Sequence, residues 1–431
     1  MINTEKEFYT YLQNQDNLYF FGAGKRAERC LYYCRKRGIA YEGFLVSQRE
    51  NNPVEKEGKL VIALEELKQN GIVAEQLNVV VTLAGGIKEW LGTFCEMPRF
   101  KSVLFMSDKL WRELYLHELK YQFEEEQDTY ELAIEYPKIE SGQGFLIEQK
   151  SGQVIMRMPL HASLQMLQPL LDFGTREAFE KEFGPLRILP LVKNAGIEES
   201  TARKEKIEQY VVTSHLDKAK TEDIQSGGYL PIQVGAALTD IRKGCITDNT
   251  KDNISAKNKD YCECTGLYWI WKNTCGQKYV GLNHYRRRLM LDENSVDYLI
   301  AHKTDLVVAH PQFEKETIKD YFAQYICQQD WNLLKQRVID YDVAYVSCFE
   351  RYERGHFYFP CNVSLWKRKW FDRYCAFAFE VAGQIDVFYR ERGIVREDRY
   401  MGYLFEQLST IFIMRHYEEM NIVCSQIEWI N

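Results

Sequence analysis

A chain of 431 residues exceeds one small domain and, at about one domain per 150 residues, should hold two or three. Hydrophobic residues make up 45% and charged residues 27%, with 10 Pro against 26 Gly, which excludes a largely disordered polypeptide. The net charge of −7 excludes a global basic field for nucleic acid, so any anion site must be local.

The opening MINTEKEFYTYL is charged and lacks the apolar stretch of a secretory signal, and no window approaches 18 uninterrupted apolar residues. The 12 cysteines include no C-x-x-C, and the close pairs Cys30/Cys34 and Cys262/Cys264 lack zinc-site spacing. They read as reduced core thiols of a cytoplasmic protein.

The first element is a short apolar strand, Leu18 to Phe21. Gly22-Ala23-Gly24-Lys25-Arg26-Ala27 follows, then a helical pattern to Arg37, a stop at Gly38 and a second strand from Tyr41 to Val46. Strand, G-x-G-x-x-A, helix, strand is the context of a dinucleotide fingerprint, in which Gly22, Gly24 and Ala27 form the nucleotide loop. Ser47 stands where an acid would hold a ribose, which weakens an NAD-dependent reading. Asn78 to Leu91 repeats the strand, glycine turn and helix. Residues 1–125 therefore read as a Rossmann-like, doubly wound α/β domain. It resembles the nucleotide-binding-like modules found on sugar-modifying and polysaccharide-assembly proteins.

Residues 126–206 read as a connector. A hairpin is expected between Gly144 and Leu160 around Lys150-Ser151-Gly152, then helices over TREAFEKEFG and ESTARKEKIEQ, with no visible chemistry.

A new strand, Tyr210 to Thr213, opens the C-terminal half, with His215 and Asp217 in the next loop. Asp248, Asn249, Asp252, Asn253 and Ser255 form a polar turn. Spacing predicts one helix over Lys257 to Lys272, with 257, 261, 264, 265, 268 and 272 on one face. Tyr279 to Asn283 is a strand, and His284-Tyr285-Arg286-Arg287 follow at its carboxyl end, where open α/β sheets bind ligands. Arginine suits a diphosphate because its planar fork donates two parallel hydrogen bonds. Asp340-Tyr341-Asp342 is the sole Asp-x-Asp of this half, but it is expected to open a strand, the wrong end for ligand chemistry. Tyr268, Trp269 and Trp271 at helical spacing read as core ahead of a sugar platform.

The order of polar loop, helix, apolar strand and charged turn resembles glycosyltransferases of the GT-A fold. Lys257-Asn258 matches their basic-Asn pair, while His284-Tyr285-Arg286-Arg287 replaces the metal-binding acids. That departure in turn resembles the family of the domain of unknown function numbered 4422, found in bacterial capsular and exopolysaccharide biosynthesis and regarded as glycosyltransferases. The matching stretches are Thr213-Ser214-His215, Pro231 to Ala236, Asp248-Asn249 with Asp252 to Ser255, Tyr261-Cys262-Glu263, Tyr268 to Asn273, and Gly281-Leu282 with His284 to Arg287. Further on, Gly355 to Cys375 is similar to the family's Asn-containing strand and aromatic helix. Asp398 to Leu408 is similar to its Arg-x-x-Gly-Tyr-Leu-x-Glu-Arg-Leu, with Gln407 in place of Arg.

The resemblance implies a GT-A-like domain over residues 207–431. It would move a hexose, galactose in pyranose or furanose form, from a UDP-sugar to a lipid-linked saccharide at the inner membrane face, with peripheral membrane association. The alternative is a non-catalytic regulatory protein that binds nucleotide or sugar. Arg286 and Arg287 would stabilise the departing diphosphate. His284 stands either as a ligand to Mn or Mg or as a neutral donor. His215, Asp252, Asn253, Ser255, Lys257, Asn258, Tyr285 and Asn362 are the other donor-binding candidates. Inverting transfer needs a carboxylate base, for which Glu397, Asp398 and Glu406 are candidates. On a continuous helix 398, 402 and 406 would share a face, so Asp398 and Glu406 would flank one site.

Overall fold

The computed structural model describes residues 2–114 and 207–430, apart from 3, 84, 85, 108, 112, 227, 292 and 315. It also describes the strands 143–147 and 154–159 and residues 180, 184 and 187. The predicted Lys150-Ser151-Gly152 turn and most of the two connector helices lie outside the described residues. The tail of the second expected helix, from Ile207, is strand. The chain divides into two compact units, one comprising Met1–Pro169 with Tyr389–Arg396, the other Leu170–Phe388 with Glu397–Asn431. Among the described residues no helix is long and apolar enough to cross a membrane.

The first unit contains α1 (Glu5–Gln13), β1 (Leu18–Phe21), α2 (Lys25–Arg37), β2 (Gly43–Val46), β3 (Glu55–Lys56), β4 (Lys59–Ala63), β5 (Asn78–Val81), α3 (Ile87–Glu96) and β6 (Ser102–Phe105). β1, β2, β4, β5 and β6 lie parallel, with β1 central between β2 and β5. Their uninterrupted apolar runs suit a sheet covered on both faces. Gly38 ends α2 in the left-handed region (φ 64°), behind the basic last turn Arg35-Lys36-Arg37 that complements the helix dipole. A separate hairpin pairs β7 (Gln143–Ile147) with β8 (Val154–Pro159).

One strand of this sheet comes from far along the chain: Ile394–Val395 pairs in parallel with Val103 and Leu104. Gly393 admits it. Its φ is 67°, and an added Cβ would lie 2.5 Å from the Phe100 carbonyl oxygen.

The second unit is built on β9 (Ile207–Thr213), β10 (Leu230–Gln233), β11 (Ile246–Thr247), β12 (Tyr279–His284), β13 (Arg287–Leu289), β14 (Leu306–Ala309), β17 (Ser364–Lys367), β18 (Ile422–Ser425) and β19 (Ile427–Trp429). A small pair, β15 (Gln312–Phe313) and β16 (Phe357–Tyr358), stands apart. The main order is β11, β10, β9, β12, β17, β14, β18, with β13 bridging β12 and β19. β9 to β12 run parallel, so the carboxyl ends of β9, β10 and β12 share one edge. β17 is antiparallel to β12 and β14. Helices surround this mixed α/β sheet: α4 (Thr221–Ser226), α5 (Asn258–Tyr261), α6 (Cys264–Asn273), α7 (Glu293–Ala301), α8 (Ile318–Phe322), α9 (Gln328–Tyr341), α10 (Val346–Arg354), α11 (Arg368–Glu391) and α12 (Tyr400–Arg415).

Three local expectations need correction. The single helix over 257–272 is two helices, broken at Cys262 in the left-handed region (φ 51°). Asn258 Nδ2 and Thr265 Oγ1 both donate to the Cys262 carbonyl and hold the break. Asp340-Tyr341-Asp342 opens no strand: Asp340 pairs with Arg337 in the last turn of α9, and Asp342 accepts from the Ala344 N–H. Finally, α12 begins at Tyr400 behind a left-handed Arg399, so Asp398 lies outside it and shares no helical face with Glu406.

Replacing Gly393 by Ala forces a Cβ against two backbone carbonyls in a backbone region that L-residues avoid. We expect Gly393→Ala to lower unfolding stability in denaturant titration by about 2 kcal/mol or more. Gly58→Ala, also left-handed but with open space around it, should lose no more than about half that.

Candidate active site

The segment from Tyr279 to Leu289 forms a tight hairpin rather than a strand followed by a loop. His284 pairs with Arg287 across the two-residue turn Tyr285-Arg286. Asn283, buried beneath it, accepts the Leu289 N–H at 2.9 Å and pins the turn. Alternation across β13 then separates the arginines. Arg288 turns inward and packs over Tyr229. Arg287 lies over the Trp429 ring and donates to Cys361 Sγ at 3.4 Å. Arg286 is exposed and lies over the Tyr285 ring, whose hydroxyl side engages Asp217.

His284 is largely buried among cations. Burial, then Arg287, push its pKa down to about 4 despite Asp217, with Arg286 and Arg399 adding to the effect. Its Nδ1 accepts the Arg286 backbone N–H at 3.4 Å, so in this arrangement the ring is neutral and Nε2 carries the proton. The same guanidinium charges oppose a divalent ion, and among the described residues no three His, Cys, Asp or Glu side chains gather to hold one. The residues here do not fit a metal centre. They fit His284 as a neutral donor beside fixed positive charge.

Of the carboxylate candidates, Glu406 is the one that α12 carries. Along α12, Tyr400–Met414 is buried except at Tyr403 and Glu406, which stand three residues apart on one face. Glu406 Oε1 accepts the Cys361 N–H at 3.0 Å. Burial, then the Glu263 carboxylate, raise its pKa to about 7, against the Cys361 N–H, Arg287 and Arg399, which lower it. Glu263 accepts from Asn362 Nδ2 at 2.9 Å, and the Asn362 Oδ1, shielded from solvent, has no hydrogen-bond partner.

The backbone around these two acids is unusual. Cys262, Cys361, Asn362 and Arg399 all adopt left-handed φ values of 51°, 76°, 51° and 62°. Each costs about 1 kcal/mol or more outside glycine, and such outliers cluster at functional sites. Here each has an identifiable task. The turn at Cys262 introduces Glu263, Cys361 donates to Glu406, Asn362 holds Glu263, and Arg399 starts α12. Cys262 and Cys361 are themselves partly buried, and desolvation pushes their thiols up to about 12. They are packing groups, not nucleophiles.

The other predicted donor residues build the walls. Asp248, fully buried, accepts the N–H groups of Gly235 and Ala236 at 3.0 Å each, shaping the loop after β10. Ser255 is also fully buried, its hydroxyl on Asp248 and the Ala237 N–H, so the expectation that it contacts a donor is withdrawn. Asn253 Oδ1 accepts from Ser255 N, and Asn258 is committed to the Cys262 break. Lys257 pairs with Asp386 at 2.5 Å. Asp252 accepts from Tyr268 OH at 3.0 Å and remains exposed. His215 is partly buried in the loop after β9. Glu397 is paired with Lys259 at 2.8 Å, as expected of a structural acid. Trp269 is buried, its Nε1 on the Thr250 carbonyl, and Trp271 stacks on Phe379, which keeps both as packing aromatics. A cavity of about 870 Å³ lies at the far end of α12 between Arg351, Arg415 and Glu419.

In the first unit, a cavity of about 540 Å³ opens at the carboxyl ends of β1 and β2, lined by Gly22, Gly24, Ser47, Thr82 and Trp90. Gly22 (φ 106°) admits close packing, since a Cβ there would lie 2.9 Å from Leu83 Cδ2. Ala27 faces the core and packs α2 onto the sheet, so it contacts no ligand.

Residues 210–417 match the model of a domain of unknown function, DUF4422. No curated protein matches the chain. Among solved structures, the bifunctional glycosyltransferase WbbM in its apo form is 21% identical, with a TM-score of 0.44 over 53% of this chain and 46% of that one. This chain therefore spans less than half of WbbM. The mannosyltransferase Ktr4p from S. cerevisiae, in complex with GDP, is 11% identical over 56% of this chain and 77% of that one, TM-score 0.23. Core-mannan synthase A from Aspergillus fumigatus, in an Mn/GDP form, is 9% identical over 55% and 80%, TM-score 0.24.

Glu406 has a folded pKa above its unfolded one, so ionising it costs stability as pH rises from the ordinary carboxylate value to about 7. Glu406→Gln removes that cost while an amide oxygen can still accept from Cys361. We expect the variant to be more stable than the parent at pH 8, by up to about 3 kcal/mol, and no more stable at pH 4.5. Thermal unfolding at the two pH values checks this.

Proposed function

Taking the segment 210–417 as a member of the DUF4422 family, we propose that the second unit is a GT-A-like glycosyltransferase domain with Glu406 as its general base. The observation that carries the reading is a carboxyl poised near neutrality, at one of two partly exposed positions in the otherwise buried run Tyr400–Met414. A base is most effective when its pKa lies near the working pH. The Glu406 carboxylate would take the proton of an acceptor hydroxyl as the hydroxyl oxygen forms a bond to the anomeric carbon of the donor. The bond from that carbon to the diphosphate oxygen breaks, and its electron pair leaves with the nucleoside diphosphate. Attack opposite the leaving group inverts the anomeric centre.

Arg286 and Arg287 supply the charge that receives the diphosphate, and neutral His284 donates through Nε2. Pre-oriented donors aimed at developing charge need no reorganisation during the reaction. Guanidinium charge replaces the Mn or Mg ion, consistent with the cationic surroundings of His284. The resemblance favours UDP-galactose as donor and a lipid-linked saccharide as acceptor, for assembly of a capsule or exopolysaccharide. In the first unit, the crevice beside Gly22 and Gly24 offers the N-terminus of α2 to a nucleotide phosphate.

Release of UDP from UDP-galactose, followed with and without saccharide acceptors, tests the reading. We expect kcat/KM to rise with pH through about 7 and then level, and Glu406→Gln to lose about 10²-fold or more. Arg287→Ala should lose about 10²-fold or more. Tight UDP binding with no turnover of any nucleotide sugar would mark a binding protein instead.

A further inference from the structure

Tyr403, the second partly exposed position of that run, does not stand alone. Tyr325 stacks on it with ring centroids 5.3 Å apart and planes 22° from parallel. Tyr325 is 41% exposed, one of the few large aromatic rings so open among the described residues. It is nevertheless firmly placed. It follows α8, its N–H donates to the Phe322 carbonyl at 2.8 Å, and its ring meets Tyr321 edge-on and Phe322 at a tilt. Phe322 is buried against Tyr358. A ring held this way yet left open loses little conformational entropy when something else covers it.

The pair sits next to the chemistry. Tyr403 is three residues before Glu406 on the same helical face. Burial raises the Tyr403 phenol against the opposing influence of Arg399, with Glu406, Cys262 and Tyr325 all within electrostatic reach. A flat, electron-rich surface beside a base fits the apolar C–H face of a sugar ring, whose hydroxyls would extend over the edge.

We infer that Tyr325 and Tyr403 form the platform on which the acceptor sugar ring lies, orienting one of its hydroxyls toward Glu406. The inference rests on the transferase reading above and adds to it the residues that hold the acceptor, through an exposed pyranose or furanose face. Tyr325 is the positioning residue, Glu406 the base. Arg286, Arg287 and His284 line the donor side, so the platform governs acceptor binding and leaves donor cleavage intact.

Saturation-transfer NMR with methyl glycosides of galactose, glucose, mannose and N-acetylglucosamine, irradiating the aromatic protons, tests it. At least one glycoside should receive saturation from the parent and from Tyr325→Phe. Its affinity should fall about five-fold in Tyr325→Ala, the worth of one aromatic contact. UDP release from UDP-galactose without acceptor, measured on the same samples, should match the parent in Tyr325→Ala. If no glycoside contacts aromatic protons, or if Tyr325→Ala binds as tightly as the parent, the platform is wrong even where UDP release stands. Loss of UDP release in Tyr325→Ala would place the pair on the donor side and equally overturn it. Absence of UDP release from the parent would count against the transferase reading itself.

Discussion

A desolvated carboxyl with a second carboxylate near it holds its proton to higher pH, as Glu406 does beside Glu263. Glu406 and Glu263 are brought into that relation by a helix break at Cys262 on one side and a left-handed turn at Cys361-Asn362 on the other. Most of what distinguishes this half of the protein serves that arrangement. Asn258 and Thr265 hold the break, Asn362 fixes Glu263, and Gly402 lets α12 approach Cys262 to within contact distance. Left-handed backbone at four non-glycine residues is energy that packing elsewhere must offset. Its return is a carboxyl whose proton is loosely held at neutral pH.

The other half of the site has the opposite sign. A net acidic chain concentrates Arg286, Arg287 and Arg399 around one histidine, and the hairpin geometry turns Arg288 away to pack under Tyr229. Charge of this density would repel a metal ion and attract a diphosphate. It also tempers Glu406, because Arg287 and Arg399 pull its pKa down while burial and Glu263 push it up. Glu406 and Arg287 are thus electrostatically coupled. On the proposed reading, an incoming diphosphate that neutralises Arg287 would strengthen Glu406 as a base.

Local pattern carried much of this into view from sequence. The strand, glycine turn and helix from Leu18 to Arg37 were legible because each residue needs only its neighbours: an apolar run, a glycine at φ 106°, a basic last turn. The strand from Tyr279 was legible in the same way, but its return as the hairpin strand Arg287–Leu289 was not. What escaped depends on distant contacts. Nothing local announces that Ile394–Val395 pairs with Val103 and Leu104. Helical spacing across 257–272 masks the break, because the side chains that stabilise it, Asn258 and Thr265, are ordinary helix neighbours until their hydrogen bonds turn to the Cys262 carbonyl. Glu263 was visible within Tyr261-Cys262-Glu263, but its role emerges only where α6, β17 and α12 meet. Asp398 shares no helical face with Glu406 because a left-handed Arg399 separates it from α12.

The central claim is electrostatic: Glu406 titrates near 7 because burial and Glu263 raise it. Carbon-13 NMR of protein labelled at glutamate side-chain carboxyls, with Glu406 assigned by its loss in Glu406→Gln, measures that directly. The account predicts a midpoint near 7 in the parent and a clearly lower one in Glu263→Gln. A midpoint in the ordinary carboxylate range, or one unmoved by Glu263→Gln, would contradict it.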